Sequence, residues 1–582
     1  MELRIPTLKK AGTGIFKTDL ESLGKWVGNL PLVNADTCAW QLEFGLSEIN
    51  GVEMPPADRL EVLELLIEPV KVITGRLQKK YLGRRFPLNK DELNKSNQAI
   101  GLFLAMATGY KLLVTALDWE AWDATCLIEA GPHVIPMQRA IRYLSESLIG
   151  SYQVYSQHRE GIWSDLHALY ALAAKHGLPA YQEIDTTLQE PALTSVETAY
   201  KQILLLSLAG PYRLRQSEIR RVYNLLARWA PYCRFHPVEK QDALGLFTCH
   251  LSSDEPPRYL QLTRRDRLDS EWVILDTSGM TEPANATLTK LRNSPNLRGI
   301  LPGENTLKRL MLCWGVMPER QSTRRRKETP VQLVLGLPAI HHLLAEPVPN
   351  QAGEMTRGML PAAHEDSLRD PTFEQPTVIA TNHPSIKKAA SPAGRQTNPF
   401  MPRGQYPLRG AYALRPPVQS DDDRQIPAIE SWQMVDVSVG GYCLMWESTD
   451  VTSAQVGEVV ALRTGTGKSN DDWKLGVIRW LKFTPERGLI LGVQLMASGA
   501  TPVWVSLYRD EPVTESRAQG LLLAENRALK QQSSLLLPST PFHTGCLSML
   551  SSGEKDERII LVRQLENTGS FAQYHFATAP AS

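Results

Sequence analysis

Cysteine is scarce in this chain: seven in 582 residues, at Cys38, Cys126, Cys233, Cys249, Cys313, Cys443 and Cys546, with no two at metal-ligand spacing. An odd, scattered set excludes a disulfide framework and a structural zinc site, and it reads as reduced thiols that mostly fill cores. Net charge is nearly absent as well, because 63 Lys and Arg face 62 Asp and Glu to leave +1. No whole-molecule field would gather the chain onto DNA or an anionic membrane, so any anion site must be a local basic cluster and no DNA partner is expected. Long apolar runs are also missing. The most apolar stretch, 99–117, is interrupted by Tyr110 and Lys111. It barely matches the thickness of a bilayer, so it is expected to be a buried helix and not a membrane span. The opening residues MELRIPTLKKAGTG lack the basic start and apolar core of a secretion signal, which points to the cytoplasm. No Ser/His/Asp or paired-carboxylate arrangement is recognisable, so the expectation is a protein that is not an enzyme and that needs no cofactor and no metal.

The length suggests three or four domains, and 42% apolar residues with 21% charged are enough for real cores. Residues 1–245 are expected to form an α-helical domain. Leu60, Leu63, Leu66, Ile67, Val70 and Ile73 recur close to a 3.6-residue period, with Pro69 expected to kink or divide that helix. Gly210–Pro211 should break another helix pair, with a restart near Ser217 and Glu218. Residues 246–313 read as a small α/β joining element, with strands at 259–262 and 272–275 and a helix at 307–313. The rest is β-rich. Strands are expected at 331–337, 432–437, 442–446, 456–463, 474–480, 489–496, 503–507, 520–523, 533–537, 546–550 and 558–562, a spacing that suits small antiparallel barrels. Pro, Gly, Ser and charge dominate about 346–428, which is expected to be a disordered insertion. The domains are therefore set at 1–245, 246–313, 314–500 with that interruption, and 501–582.

Two clusters carry chemistry. The segment ERQSTRRRK at 319–327 holds Arg320, Arg324, Arg325 and Arg326 just before a strand. Guanidinium forks match phosphate oxygens in pairs and stack on purine rings. Taken alone, such a run is more often a solvated turn. The second cluster is Asp436-Val437-Ser438-Val439-Gly440-Gly441 between two strands. The Asp436 carboxylate can accept from the N1 and N2 donors of a guanine edge. Ser438 shares its face of the strand, and a glycine permits positive φ or close backbone approach. Alone, this too could be an ordinary hairpin.

Together, in this order, they resemble the PilZ domain family, cyclic di-GMP receptor proteins of bacteria. The family pattern is R-x-x-x-R at the lip of a six-stranded barrel followed by D/N-x-S-x-x-G, matched here by Arg320 with Arg324 and by Asp436, Ser438 and Gly441. The segments Trp473–Trp480 and Gly488–Gln494 are similar to the family's closing strands. The resemblance covers about 320–346 and 429–500. It implies a PilZ-like six-stranded antiparallel β-barrel and says nothing of the N-terminal helices. Joined to the readings above, it makes the expected fold multidomain α + β, with a mostly α-helical N-terminal half and an additional C-terminal β domain. The resemblance also implies cyclic di-GMP as ligand, held by Arg320, Arg324, Arg325, Asp436, Ser438 and Gly441, and a relay to an unidentified protein partner in processes such as motility or exopolysaccharide control. The insertion leaves open which arginines of 320–326 face the ligand. It does not prevent barrel closure, since loop entropy rises by only about 0.6 kcal/mol per doubling of length. The rivals are a PilZ-like adaptor that has lost nucleotide binding and works through protein contacts, and an RNA-binding protein using 320–327 as a basic arm.

Other signals are discounted. Gly465-Thr-Gly-Lys-Ser469 lacks the first glycine of a phosphate-binding loop, because Leu462 stands there. His341 and His342 are expected at the end of the first barrel strand, pointing to opposite faces. The run at 421–423 lacks the glycine and glutamate of a calcium loop.

Overall fold

Amphipathic helices dominate the N-terminal half of the computed structural model, which describes residues 3–10, 17, 19–120, 122, 130–188, 190–237, 247–263, 269–294, 297, 299–315, 323–345, 428–465, 473–507, 517–525, 532–553 and 555–579. The helices are α1 (Leu20–Gly28), α2 (Ala35–Gly51), α3 (Pro56–Tyr81), α4 (Lys90–Ala116), α5 (Gly131–Gln153), α6 (Ile162–Lys175), α7 (Val196–Leu208) and α8 (Gln216–Trp229). α3 runs undivided through Pro69. The carbonyl that proline leaves without a donor belongs to Leu65, which is exposed, so water can replace the lost bond. α4 opens with a reciprocal cap between Asn89 and Glu92. It is long and apolar enough to cross a membrane, but Leu102, Phe103, Met106, Tyr110 and Leu113 are buried, and the helix packs on α2, α3 and α5. Gly210 takes a left-handed φ of 66° before Pro211, and Glu218 then accepts from the Arg215 N–H at 3.0 Å to start α8.

A short hairpin unforeseen in the sequence, β1 (Gln182–Asp185) and β2 (Ala192–Ser195), lies between α6 and α7. It is anchored by Asp185, which is fully buried and accepts from Arg139 at 3.1 Å and Arg142 at 2.6 Å, both on α5. Four-residue strands held by distant arginines leave no periodic trace.

Four strands, β3 (Arg234–Pro237), β4 (Phe247–His250), β5 (Arg258–Tyr259) and β6 (Trp272–Asp276), form a sheet in the order β3-β6-β4-β5. Residues 260–262, expected to be extended, turn as a 3-10 helix. Helices α9 (Thr281–Asn293) and α10 (Glu304–Gly315) lead to the first barrel.

That barrel comprises β7 (Arg325–Leu335), β8 (Glu430–Ser438), β9 (Gly441–Trp446), β10 (Val459–Thr464), β11 (Lys474–Thr484) and β12 (Gly488–Ala497), closed in the order β10-β11-β12-β9-β8-β7 with antiparallel pairs throughout. β7 begins at Arg325, earlier than the expected 331, because Arg325 pairs with Val437 and Arg326 with Asp436. These two arginines are therefore strand residues. Between β7 and β8 lies α11 (Leu337–Ala345), which contains His341 and His342, so their expected place at a strand end is corrected. Gly336, at φ 92°, turns the chain, and Leu337 and Ile340 then bury one helical face. The insertion expected at 346–428 lies outside the described residues up to 427, as do the 421–423 run and residues 466–469 of the glycine-rich loop.

A second closed barrel of six antiparallel strands ends the chain: β13 (Thr501–Leu507), β14 (Ala518–Leu523), β15 (Ser534–Pro538), β16 (Leu547–Ser552), β17 (Lys555–Asn567) and β18 (Phe571–Thr578). The architecture is thus multidomain α + β. The interior of the first barrel, with Leu333, Trp432, Leu444 and Leu491, is continuous with the helical core. Its outside packs through α11 onto Leu521, Leu523, Leu536 and Phe571 of the second barrel, whose interior around Val505, Leu537, Leu561 and Tyr574 is a separate core.

Candidate ligand-binding site

The first barrel carries a cleft of about 180 Å³ on its rim, lined by Arg324, Asp436, Ser438, Gly441, Arg479, Trp480 and Gln494 among others. Four strands, β8, β9, β11 and β12, build it. β8 delivers Asp436 and Ser438 to the same side, two residues apart, as strand alternation requires. One residue earlier the β8–β9 ladder slips, pairing Met434 with Leu444 but Asp436 with Cys443. The bulge at Val435 sets the aim of the acidic residue. The turn between β8 and β9 is tight, with Ser438 opposite Gly441 and the Ser438 hydroxyl donating to the Gly441 carbonyl at 3.3 Å. Gly441 is required for space. A Cβ there would come 2.1 Å from the Val493 carbonyl oxygen, whereas its backbone is not left-handed. The positive φ that a turn glycine could supply is therefore not what this position uses.

Arg324 stands just before β7 and reaches across the strand pair to Asp436, with Nη1 3.4 Å from Oδ2. Its side chain is 57% exposed and that of Asp436 is 21% exposed. Such a pair is weak, worth at most about 1 kcal/mol, so a phosphate or guanine edge can replace either partner at small cost. Cys443, opposite Asp436, is no competitor for chemistry. Burial pushes its thiol up to about 11, and the Asp436 carboxylate adds to the shift.

The far wall comes from β11 and β12. Their ladder pairs Ile478 with Val493 and Trp480 with Gly492, which leaves Arg479 as a bulge residue. In a regular strand, neighbours point to opposite faces. The bulge brings both Arg479 and Trp480 to the cleft. Gly492 lies against the Trp480 indole, where a Cβ would meet Nε1 at 2.0 Å. Arg479 Nε donates to Gln494 Oε1 at 2.6 Å, and its other nitrogens pair with Glu566 of the second barrel, Nη2 to Oε2 at 3.0 Å.

Of the residues singled out in the sequence, Arg324, Asp436, Ser438 and Gly441 thus come together. Arg325 is an exposed strand residue beside them and does not line the cleft. Arg326 lines a different cleft, about 1110 Å³, together with Lys90, Glu328, Trp446 and Arg487. Arg320 lies outside the described residues. Arg479, Trp480 and Gln494 were not singled out. They lie in the two segments that are similar to the family's closing strands, but the bulge that makes them neighbours of the cleft has no signature of its own.

Comparison with known proteins divides the chain in three. Residues 21–240 match the N-terminal domain of the cyclic-di-GMP receptor FimW, residues 246–502 match that receptor's middle PilZ domain, and residues 503–579 match its C-terminal β-barrel domain. Across its whole length the chain is similar to the cyclic-di-GMP receptor FimW of Pseudomonas aeruginosa. The two are 27% identical over 597 aligned residues, spanning 100% of this chain and 94% of that protein. No solved structure matches the chain significantly.

Proposed function

We propose, from the premise that this chain belongs to the PilZ domain family of cyclic di-GMP receptor proteins, that it binds cyclic di-GMP in the cleft of its first barrel and relays that binding to a protein partner in the cytoplasm. One observation carries the reading. A guanidinium, a carboxylate, a hydroxyl and a side-chain-free glycine meet on the rim of a closed barrel, although the first is separated from the others by more than the whole of α11 and the 346–427 segment. Arg324 offers paired donors to a phosphate or a flat cation to a guanine face. Asp436 offers acceptors to the N1 and N2 donors of guanine, and Gly441 keeps the floor low enough for a ring to approach. This is recognition chemistry. The thiol beside it is held neutral, and the reading assigns no reaction to the cleft. The six cysteines within the described residues are all free thiols, in keeping with a reducing compartment.

Calorimetric titration with cyclic di-GMP, with GTP and GMP as controls, tests the proposal. Arg324→Ala and Asp436→Ala should each weaken binding at least about tenfold, the loss of about one charge-assisted contact. Wild-type affinity in both variants would remove the cleft from the account. No binding by the wild type would leave a PilZ-type adaptor that works through protein contacts.

A further inference from the structure

Resting on that reading, we propose that Arg479 is a further ligand-binding residue, and that its pairing with Glu566 makes the C-terminal barrel sense whether the cleft is occupied. Space is the first argument. Small-molecule sites usually offer about 300–1,000 Å³, and the cleft around Asp436 has about 180 Å³. It adjoins a cavity of about 460 Å³ that shares Arg479, Trp480 and Gln494 with it and continues to Arg213, Arg309 and Glu566. A two-guanosine ligand anchored on Asp436 and Arg324 extends over this shared wall. There it meets the flat Trp480 indole and the Arg479 guanidinium.

The second argument is how the wall is built. Arg479 is the bulge residue of β11. Glu566 follows a bulge in β17, where the ladder pairs Gln564 with Tyr574 but Glu566 with Gln573. Both partners of this pair, one of several contacts between the two barrels, therefore stand at ladder irregularities, which re-aim side chains. Their side chains are 32% and 25% exposed, so the pair is neither sealed nor fully solvated. A bound phosphate competes with the Glu566 carboxylate for the same guanidinium fork.

The third argument concerns what Glu566 meets when Arg479 leaves. Arg309 of α10 lines the same cavity, is half-buried, and has no hydrogen-bond or ion-pair partner among the described residues. Burial lowers its pKa, while Glu218 and Glu566 act to raise it. Arg309 thus leaves the released carboxylate a cationic neighbour in the same cavity.

Two measurements on the full chain test this. In calorimetry with cyclic di-GMP, Glu566→Gln should bind roughly two- to fivefold tighter than wild type, because a partly exposed ion pair no longer competes. Arg479→Gln should bind at least about tenfold weaker, and adding Glu566→Gln to it should restore nothing. In amide hydrogen exchange on the wild type, saturating ligand should speed exchange in 563–570 of the second barrel, and Glu566→Gln should show the faster exchange without ligand. An affinity for Glu566→Gln equal to or weaker than wild type, or exchange in 563–570 that ligand leaves unchanged, overturns the inference while the binding site stands if Asp436→Ala still loses affinity. A wild-type chain that binds nothing overturns both.

Discussion

The two barrels have the same strand number, closure and antiparallel pairing, yet their glycines and bulges serve different ends. In the first, Gly441 lies on the Val493 carbonyl and Gly492 on the Trp480 indole, both at the rim where Asp436 and Arg479 gather. In the second, the close approach at Gly520 is to the Leu537 side chain inside an apolar core, 2.8 Å from where a Cβ would be. Bulges in the first barrel deliver Asp436 and Arg479 to a cleft, whereas the second of two irregularities in β17 delivers Glu566 to the neighbouring barrel. One topology therefore supports either a polar recognition rim or a closed packing unit, and the choice is made at the few residues where the ladder is irregular or a side chain is missing.

The sharpest way to break this contrast is to damage the second core. Leu561 is fully buried there, and Leu561→Ala should cost about 2–5 kcal/mol in urea unfolding. Its effect on cyclic di-GMP affinity should stay within about twofold at temperatures where the variant is folded, roughly 0.4 kcal/mol. A smaller pair of changes compares the glycines directly. Gly441→Ala and Gly520→Ala should each cost about 1–3 kcal/mol by overpacking, but only Gly441→Ala should also reduce ligand affinity, by about tenfold or more. Equal effects on binding would erase the distinction between rim and core. The smallest effect concerns the contact between the barrels. His341 on α11 is buried, bonds the Val503 carbonyl at 3.1 Å and meets the Trp504 ring edge-on. Burial holds its pKa below the ordinary histidine value. The unfolded chain therefore binds the proton first as pH falls below about 6.5, so stability declines from pH 7 toward pH 5. Urea titrations at several pH values should show that decline, and His341→Gln should make it shallower, with the remainder carried by other buried histidines such as His167, whose pKa burial lowers to about 4.

Much of this was legible in the residues. Period-3.6 leucines and valines announced α3, and alternating strands announced both barrels except β18. The PilZ resemblance carried by Arg324, Asp436, Ser438 and Gly441 implied a shared rim, and the fold brings these four residues together. What stayed hidden shares one physical cause. The β1–β2 hairpin depends on Arg139 and Arg142 from α5, the histidine helix depends on burial between two barrels, and the Arg479 wall depends on a one-residue ladder slip. Each is decided by tertiary partners far away in the chain, which local periodicity cannot report. Arg325 and Arg326 belong with these, because pairing with β8 turned a basic run into strand.

The most direct test is a crystal structure of the chain with cyclic di-GMP bound. The account predicts a guanine edge on the Asp436 carboxylate and phosphate oxygens on Arg324 and Arg479, with Arg479 withdrawn from Glu566. A nucleotide seated instead in the larger cleft beside Lys90, Arg326 and Arg487, with Asp436 untouched, would contradict it.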